Sequence, residues 1–215
     1  MAYLNGCPPD FPHGVYDTLA AAVRALEHAC EPFAVGGAVA MYAGGYARTT
    51  SDVDIFVLGD LREQARKDQQ YGTVGAILRA LQRAGFAVRK VDDSQYHAQL
   101  PRWSGTKIRL DILVAWSVPE TLAIQRPTLR RIGSVDFPAF SLGEITASKI
   151  TVDPESDVWF KSKQDIGAMV RAGLVDLEAV REYMLAEEIP YVEELDAIAE
   201  ELGVGPRRNP AGFRR

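Results

Sequence analysis

Three aspartates stand in stretches that otherwise have the composition of buried strands. Asp52 and Asp54 are separated by one residue in SDVDIFVL, and Asp111 lies at the centre of KIRLDILVAW. Because side chains alternate between the two faces of a strand, Asp52 and Asp54 are predicted to share one face. The opposite face, directed into the core, is then formed by Val53, Ile55 and Val57. Two ionised carboxylates this close repel each other unless a cation lies between them.

Carboxylate oxygens are the ligands that Mg²⁺ prefers. If the strand of Asp111 lies beside that of Asp52 and Asp54, three carboxylates converge on one patch of sheet. Such a patch can hold two metal ions, which clamp the attacking and leaving oxygens in phosphoryl transfer. Two simpler interpretations stay open: the Asp-x-Asp pair as rim or edge salt-bridge residues, and Asp111 as the partner of a neighbouring Arg109 or Lys107.

Glycine pairs flank the predicted helix AVAMYA, which directly follows the short strand Phe33-Ala34-Val35. Gly36-Gly37 lies between strand and helix, where glycine allows close backbone approach and a helix N-terminus favours an anion such as a phosphate. The alternative is a tight turn without a ligand. Gly44-Gly45 is predicted to end the helix as its C-cap.

These residues must be positioned by a sheet with helices packed against it. Helices are predicted at 15–30, 38–43 and 61–84, the last with a break near Gly72. Strands are predicted at 33–35, 51–58, 86–91, 96–103 and 107–116, with a hairpin turn at 104–107. The fold class that follows is α+β. A mixed sheet is predicted to be covered by helices on one side and to be followed by a helical C-terminal part.

The C-terminal part is predicted to be all helical, with helices at about 141–152, 157–172, 176–186 and 191–202. The first opens with a capping signature, Ser141 followed by Glu144. The predicted organisation is a sheet domain at 1–140, a helical domain at 141–203 and a flexible basic tail at 204–215. The tail arginines would contact RNA or a partner, or merely keep the end soluble; they are Arg207, Arg208, Arg214 and Arg215.

The bulk composition excludes several classes of protein. A net charge of -5 argues against a nucleic-acid packaging protein. No run of 18 apolar residues and no secretion signal is present, so we expect a cytoplasmic protein with no membrane partner. Cys7 and Cys30 are expected to be reduced thiols. The three histidines, His13, His28 and His97, are not spaced as metal ligands.

The order of these features resembles the nucleotidyltransferase superfamily, whose fold is shared by DNA polymerase β-like enzymes. The resemblance rests on VGGAVAMYAGGYARTTSDVDIFV together with the later IRLDIL, and it covers roughly residues 33–180. The form GG-A…R-T-T-S-D-x-D is most similar to small bacterial, minimal nucleotidyltransferases, including the AbiEii-type toxins of type IV toxin–antitoxin systems. Ser162 stands where the superfamily often has an acid.

The resemblance implies roles for named residues. Asp52 and Asp54 would bind two Mg²⁺ ions, and Asp111 would bind the catalytic ion and help to deprotonate the acceptor hydroxyl. Asp165 would orient Lys161 through a salt bridge at i, i+4 spacing. The nucleotide would be bound by Gly36, Gly37, Arg48, Thr50, Ser51, Lys149 and Lys161. A surface ion pair is the alternative for Arg48, and solvated helix positions are the alternative for the two lysines.

The implied activity is Mg²⁺-dependent transfer of a nucleoside monophosphate from a nucleoside triphosphate to an acceptor hydroxyl, with release of pyrophosphate. The acceptor would be RNA such as a tRNA 3′ end, a protein, or a small molecule such as an aminoglycoside, and a toxin would have an antitoxin partner. The alternative is a catalytically inactive nucleotide- or partner-binding module on the same fold. Tyr96, His97 and Trp103 would either stack a base or pack in the core.

Overall fold

The computed structural model describes residues 6–59, 72–100, 108–152 and 155–204. The elements of the first part are α1 (His13–Glu27), β1 (Phe33–Val35), α2 (Gly37–Ala43), β2 (Asp52–Leu58), α3 (Thr73–Arg83), β3 (Ala87–Lys90), β4 (Gln95–Gln99) and β5 (Arg109–Ala115). They are followed by α4 (Val118–Gln125), β6 (Thr128–Ile132), β7 (Val135–Ala139), α5 (Leu142–Ile150), α6 (Asp157–Arg171), α7 (Leu177–Ala186) and α8 (Val192–Leu202).

The strands form one mixed seven-stranded sheet in the order β3-β4-β5-β2-β1-β7-β6. The central strand β2 pairs antiparallel with β1 and parallel with β5. Val53, Ile55 and Val57 are completely buried, which confirms the alternation predicted for β2. The predicted α+β class, a mixed sheet flanked by helices and followed by a helical C-terminal part, is therefore confirmed.

The glycines around α2 have the backbone geometry of helix ends. Gly44 is the C-cap, and Gly45 has a φ of +100°, a conformation that favours glycine. The N–H of Gly45 donates to the carbonyl of Tyr42, and that of Tyr46 donates to the carbonyl of Met41, both at 2.9 Å. The predicted helix stop at Gly44-Gly45 is thus confirmed.

Residues 118–139 contain elements that the sequence analysis did not predict. Helix α4 opens with a capping box of Ser117 and Glu120, a signal that is visible in the sequence. The β6–β7 hairpin extends the sheet beyond β1, because Val35 pairs in parallel with Ala139. Its second strand contains Pro138, which lacks the N–H of a regular ladder position and weakens the sequence signal for a strand.

The chain divides into two compact units, Met1–Ile145 and Thr146–Arg215. The first holds the sheet, and the second holds the end of α5 with α6, α7 and α8. The predicted start of the helix at 61–84, the turn at 104–107, Trp103 and the basic tail lie outside the described residues. In the part of the chain that the structure describes, no helix combines the length and the apolar content needed to cross a bilayer. Cys7 and Cys30 form no disulfide.

A buried ion pair connects α5 with α6 inside the second unit. The Nζ of Lys149 lies 2.9 Å from Oδ2 of Asp165, and their side chains are 19% and 7% exposed. Asp165 was predicted to orient Lys161, whereas the ion pair found here is with Lys149, a more distant residue in the sequence. Lys161 itself is exposed. Asp165 therefore has a structural partner that the i, i+4 spacing did not reveal.

We expect Asp165→Ala to lower the free energy of unfolding by roughly 3 kcal/mol, because the ammonium of Lys149 would remain buried without its counter-ion. The matched control is Glu201→Ala on the exposed pair of Lys163 and Glu201, whose side chains are 33% and 64% exposed. That change is expected to cost less than about 1 kcal/mol. Urea unfolding followed by circular dichroism measures both; equal losses would contradict the structural role of Asp165.

Candidate active site

The sheet brings Asp111 next to the aspartate pair. Strands β2 and β5 run parallel in register, so Asp54 lies opposite Asp111 and Asp52 lies opposite Arg109. Neighbouring strands are about 4.8 Å apart, and residues opposite each other in a sheet point to the same face. The three carboxylates therefore share one face of two adjacent strands, which is the arrangement that the predicted patch of carboxylates needs.

The guanidinium of Arg109 bridges two of these carboxylates. Its Nε lies 2.7 Å from Oδ1 of Asp111, and one of its terminal nitrogens lies 3.3 Å from Oδ2 of Asp52. The open alternative that Asp111 pairs with Arg109 is thus observed. Burial lowers the pKa of Arg109, but the nearby Asp111, Asp52 and Asp54 raise it more, so the net direction is upward. The guanidinium supplies positive charge where the carboxylates would otherwise repel.

Asp111 is the most deeply buried of the three, with a side chain that is 5% exposed. The Nε–H of Arg109 donates to Oδ2 at 2.9 Å, so Oδ1 is left buried without a hydrogen bond among the described residues, although it is close to the same nitrogen. Burial raises the pKa of Asp111 despite the opposing effects of Arg109 and His97. The ionised form of a carboxylate at this position would be stabilised by additional positive charge nearby.

The donor set fits a hard divalent cation by its chemistry. Three carboxylates and one guanidinium sum to a formal charge of about -2 when all are ionised, and one buried oxygen of Asp111 has no hydrogen bond among the described residues. Among the described residues, no group of three His, Cys, Asp or Glu side chains has the geometry to hold a metal as it stands. Arg109 contacts two of the three carboxylates that were predicted to hold Mg²⁺.

Gly37 provides the space for the carboxylate of Asp54. It has a φ of +55°, and a Cβ at this position would overlap Oδ2 of Asp54. Among the amino acids, only glycine adopts this backbone conformation without strain and has no Cβ to overlap the carboxylate. The glycine that was predicted to approach a phosphate therefore also lies directly against a candidate metal ligand.

Gly36 has a different constraint. Its N–H donates to the backbone carbonyl of Asp54 at 3.0 Å, so this amide is already used within the sheet. A Cβ on Gly36 would lie 2.5 Å from the ring of Phe56, which packs on Phe140 with ring centroids 4.8 Å apart. This N–H extends the β1–β2 ladder, and the role of Gly36 in nucleotide binding stays a prediction.

The loop before β2 positions Asp52. The hydroxyl of Thr50 donates to Oδ1 of Asp52 at 2.7 Å and lies 3.4 Å from the backbone N–H of the same residue. Ser51 is exposed and lines an open pocket beside Asp52. Arg48 is half-buried. The contact of Thr50 with a carboxylate was not predicted, and it assigns Thr50 a role in holding a candidate metal ligand.

Two further residues of the same face were not predicted as site residues. His97 lies opposite Asp111 across β4 and β5, with its Nε2 3.5 Å from Oδ1 of Asp111 and 3.2 Å from Nε2 of Gln95. Arg89 lies opposite His97 across β3 and β4. The neighbouring Tyr96 is buried on the other face, so of the two alternatives, core packing holds for Tyr96 and not for His97. The sequence signal that could have placed His97 on this face is the alternation of side chains along the strand YHAQ, which sets His97 opposite to Tyr96.

Solved structures with a similar fold include a nucleotidyltransferase-like protein and a nucleotidyltransferase toxin. An antigenic nucleotidyltransferase-like protein from Paracoccidioides brasiliensis matches with a TM-score of 0.52 and 17% identity, over 89% of this chain and 94% of that chain. MenT4, a nucleotidyltransferase toxin from Mycobacterium tuberculosis, matches with a TM-score of 0.50 and 11% identity, over 91% of this chain and 68% of that one. No protein-family model and no curated protein matches the sequence. The shared architecture is a nucleotidyltransferase fold.

Proposed function

We propose, from the nucleotidyltransferase fold of this chain, that it transfers a nucleoside monophosphate from a nucleoside triphosphate to an acceptor hydroxyl and releases pyrophosphate. The observation that carries the proposal is the register of β2 and β5, which sets Asp54 opposite Asp111 on the face that also carries Asp52. A buried carboxylate with an unsatisfied oxygen, next to two further carboxylates, is costly for a fold and useful for binding a cation.

Asp52, Asp54 and Asp111 would hold Mg²⁺. The bound ion supplies charge neutralisation for the transferring phosphoryl group and lowers the pKa of an attacking hydroxyl. The other contributions come from the chain itself. Thr50 holds the carboxylate of Asp52, and Arg109 orients that of Asp111.

Asp111 is also the group suited to accept the proton of the acceptor hydroxyl. Its buried carboxylate is held by Arg109 on the face that also carries Asp52 and Asp54, where the reacting groups would meet. The triphosphate would lie on the β1 side of β2, against Gly37 and the first turn of α2, with Arg48 and Ser51 nearby in sequence. Lys149 and Lys161 are proposed as further nucleotide contacts.

The acceptor and biological role are finer proposals. RNA, a protein and a small molecule are the acceptor classes, and MenT4 is a toxin. We therefore include a toxin role, with an antitoxin protein as partner, in the proposal. The test is incubation of the protein with each α-labelled nucleoside triphosphate, Mg²⁺ and, separately, total RNA, total protein or an aminoglycoside. We expect label on one class of acceptor and none with Asp54→Ala. No label with any pair of substrates would overturn the proposal.

A catalytically inactive binding module is the second candidate, and the position of Arg109 favours it. The guanidinium already pairs with Asp52 and Asp111, as it would in a site that has no metal. Thermal-shift titration with Mg²⁺ and nucleoside triphosphates separates the candidates. Mg²⁺-dependent stabilisation that is lost in Asp52→Asn and Asp54→Asn supports the enzyme, whereas stabilisation that survives both changes supports the module.

We expect Thr50→Val to lower kcat/KM for the labelled acceptor by about tenfold, since a hydrogen bond to a charged carboxylate contributes roughly 1.5–3 kcal/mol. Valine preserves the shape of threonine and removes only the hydroxyl that donates to Asp52. Thr50→Ser keeps the hydroxyl and should retain activity within about twofold of the original protein. If valine and serine behave alike, Thr50 does not position Asp52.

A further inference from the structure

A groove of about 700 Å³ lies between helices α1 and α3 of the first unit. Four of the residues that line it are basic: Arg24 and His28 at the end of α1, and Arg79 and Arg83 at the end of α3. The other six lining residues are alanines, and none is acidic. The basic residues are exposed, whereas all of the alanines except Ala84 are half-buried. The groove therefore has a floor of small apolar side chains with positive charge along it.

The two sides of the groove have the same residue pattern. In AAVRALEHA at 21–29 and AILRALQRA at 76–84, alanine, arginine, alanine, a basic residue and alanine occupy positions i, i+3, i+4, i+7 and i+8. Residues at these intervals lie on one side of a helix. The leucine that follows the second alanine is buried in both stretches, as Leu26 and Leu81. Each helix thus packs on the core through one side and presents its alanines and cations on another.

This groove is separate from the candidate active site. A Cβ on Gly14 of α1 would lie 2.9 Å from the side chain of Ile108, so α1 covers the face of the sheet to which Ile108 points. The next residue, Arg109, points to the opposite face, where it contacts the carboxylates. The groove shares no lining residue with the candidate active site. A molecule bound in it would contact a different surface from the one that carries the carboxylates.

The charge and the shape of the groove together favour an acidic helix as its occupant. Small side chains at a contact allow two helices to pack closely. An alanine floor stabilises a complex only if apolar atoms cover it, which a phosphate backbone would not do. The pattern extends over eight residue steps of each helix, which is about 12 Å at the rise of an α-helix. The matching occupant is two turns of helix with a small residue between carboxylates.

Helix α8 of the second unit has this combination on its exposed side. Glu193, Ala197 and Glu200 are exposed at positions i, i+4 and i+7. Leu195 and Ile198, by contrast, are buried. Neither Glu193 nor Glu200 forms a salt bridge with another residue of the described ranges. The two glutamates are about 10 Å apart along the helix axis, which fits the length of the groove.

We infer that the groove binds helix α8 of a second copy of the protein, with Glu193 and Glu200 against the basic residues and Ala197 against the alanines. Two copies with a net charge of -5 each repel one another in general, so locally complementary surfaces determine how they meet. Each copy has both a groove and an α8, so a pair of copies can form the contact twice. This inference does not depend on the proposed nucleotidyl transfer.

The test is sedimentation velocity of the full chain at concentrations up to about 100 μM, without nucleotide or Mg²⁺. We expect the average mass to rise with concentration at low ionic strength. Association should weaken between about 0.01 M and about 1 M salt, because the Debye length falls from about 30 Å to about 3 Å. Arg83→Glu in the groove and Glu200→Lys on α8 should each raise the Kd of association by at least about tenfold, since each places like charges together.

An equimolar mixture of the Arg83→Glu and Glu200→Lys proteins should associate more tightly than either protein alone. In the mixture the altered groove meets the altered α8, and the unchanged groove meets the unchanged α8, so both contacts join opposite charges. The matched controls are Arg131→Glu and Glu178→Lys, which make the same changes in net charge at exposed positions outside both surfaces. Each control should leave the Kd within about twofold of that of the original protein.

Self-association through the groove is overturned if the original protein stays monomeric at low ionic strength. It is also overturned if Arg83→Glu and Arg131→Glu have equal effects, or if the mixture associates no better than its two components. A monomeric protein that binds a single-stranded oligoribonucleotide through Arg83 would assign the groove to nucleic acid instead. Because a misfolded variant could not restore association in the mixture, recovery there also shows that both altered proteins are folded.

Discussion

Asp111→Asn is expected to lower nucleotidyl transfer by about a thousandfold or more while raising the melting temperature by a few degrees. The loss of activity follows because asparagine cannot carry the charge that would hold Mg²⁺ or accept the hydroxyl proton. The gain in stability follows from the burial that raises the pKa of Asp111. Asparagine keeps the shape and an acceptor oxygen for Arg109 and removes the cost of burying a charge.

The pH dependence of this stability difference has a definite sign. Because the folded-state pKa of Asp111 is raised, the folded protein holds a proton that the unfolded chain loses at lower pH. The stabilising contribution of this proton is complete below the ordinary pKa of an aspartate and is lost as the pH rises through the folded-state pKa. The advantage of Asp111→Asn should therefore be largest near neutral pH and shrink on acidification. Thermal unfolding in EDTA at several pH values measures it.

Asp136→Asn is the matched control for Asp111→Asn. Asp136 is paired with Arg131 at exposed positions of the β6–β7 hairpin, and the hydrogen bond from Arg131 lowers the pKa of Asp136. Its removal should leave activity unchanged and should not stabilise the protein at neutral pH, since the effect on its pKa has the opposite sign. If Asp111→Asn destabilises the protein at neutral pH, the pair with Arg109 outweighs the cost of burial. If it retains activity, Asp111 is not a catalytic residue.

Gly37→Ala is expected to reduce transfer by about a hundredfold or more, because a displacement of catalytic groups by about 1 Å can have an effect of that size. The new methyl group would occupy the position of the Asp54 carboxylate, so the carboxylate or the β1–α2 turn must move. Two costs are combined in this substitution: steric overlap with Asp54 and a φ of +55° that alanine adopts with strain of roughly 1–2 kcal/mol.

Gly173→Ala separates these two costs. Gly173 has a φ of +70°, and a Cβ at this position would meet no atom within 4 Å. It should therefore lose roughly 1–2 kcal/mol of stability from backbone strain and keep full activity. Urea unfolding and transfer assays on both variants measure the comparison. Equal losses of stability together with an active Gly37→Ala protein would show that Asp54 does not need its position against Gly37.

The sequence by itself determined the features that depend on neighbours along the chain. The alternation of Asp52 and Asp54 with buried valine and isoleucine, the helix stop at Gly44-Gly45 and the helices of the second unit follow from local periodicity and capping. The hairpin at 128–139 was missed because Pro138 weakens its strand pattern. The local pattern also could not show that the Gly36 amide is used in the ladder with β2.

Strand order was decided only by the tertiary structure. Asp111 lies beside Asp54 because β5 pairs with β2, residues more than fifty positions apart in the sequence, and periodicity within either strand contains no information about that pairing. The same pairing determines that Arg109 bridges Asp52 and Asp111. The β3–β4 and β4–β5 pairings align Arg89 and His97 with the carboxylates in the same way. The sequence shows which charged residues the strands contain. Their electrostatic partners depend on long-range contacts that only the folded sheet creates.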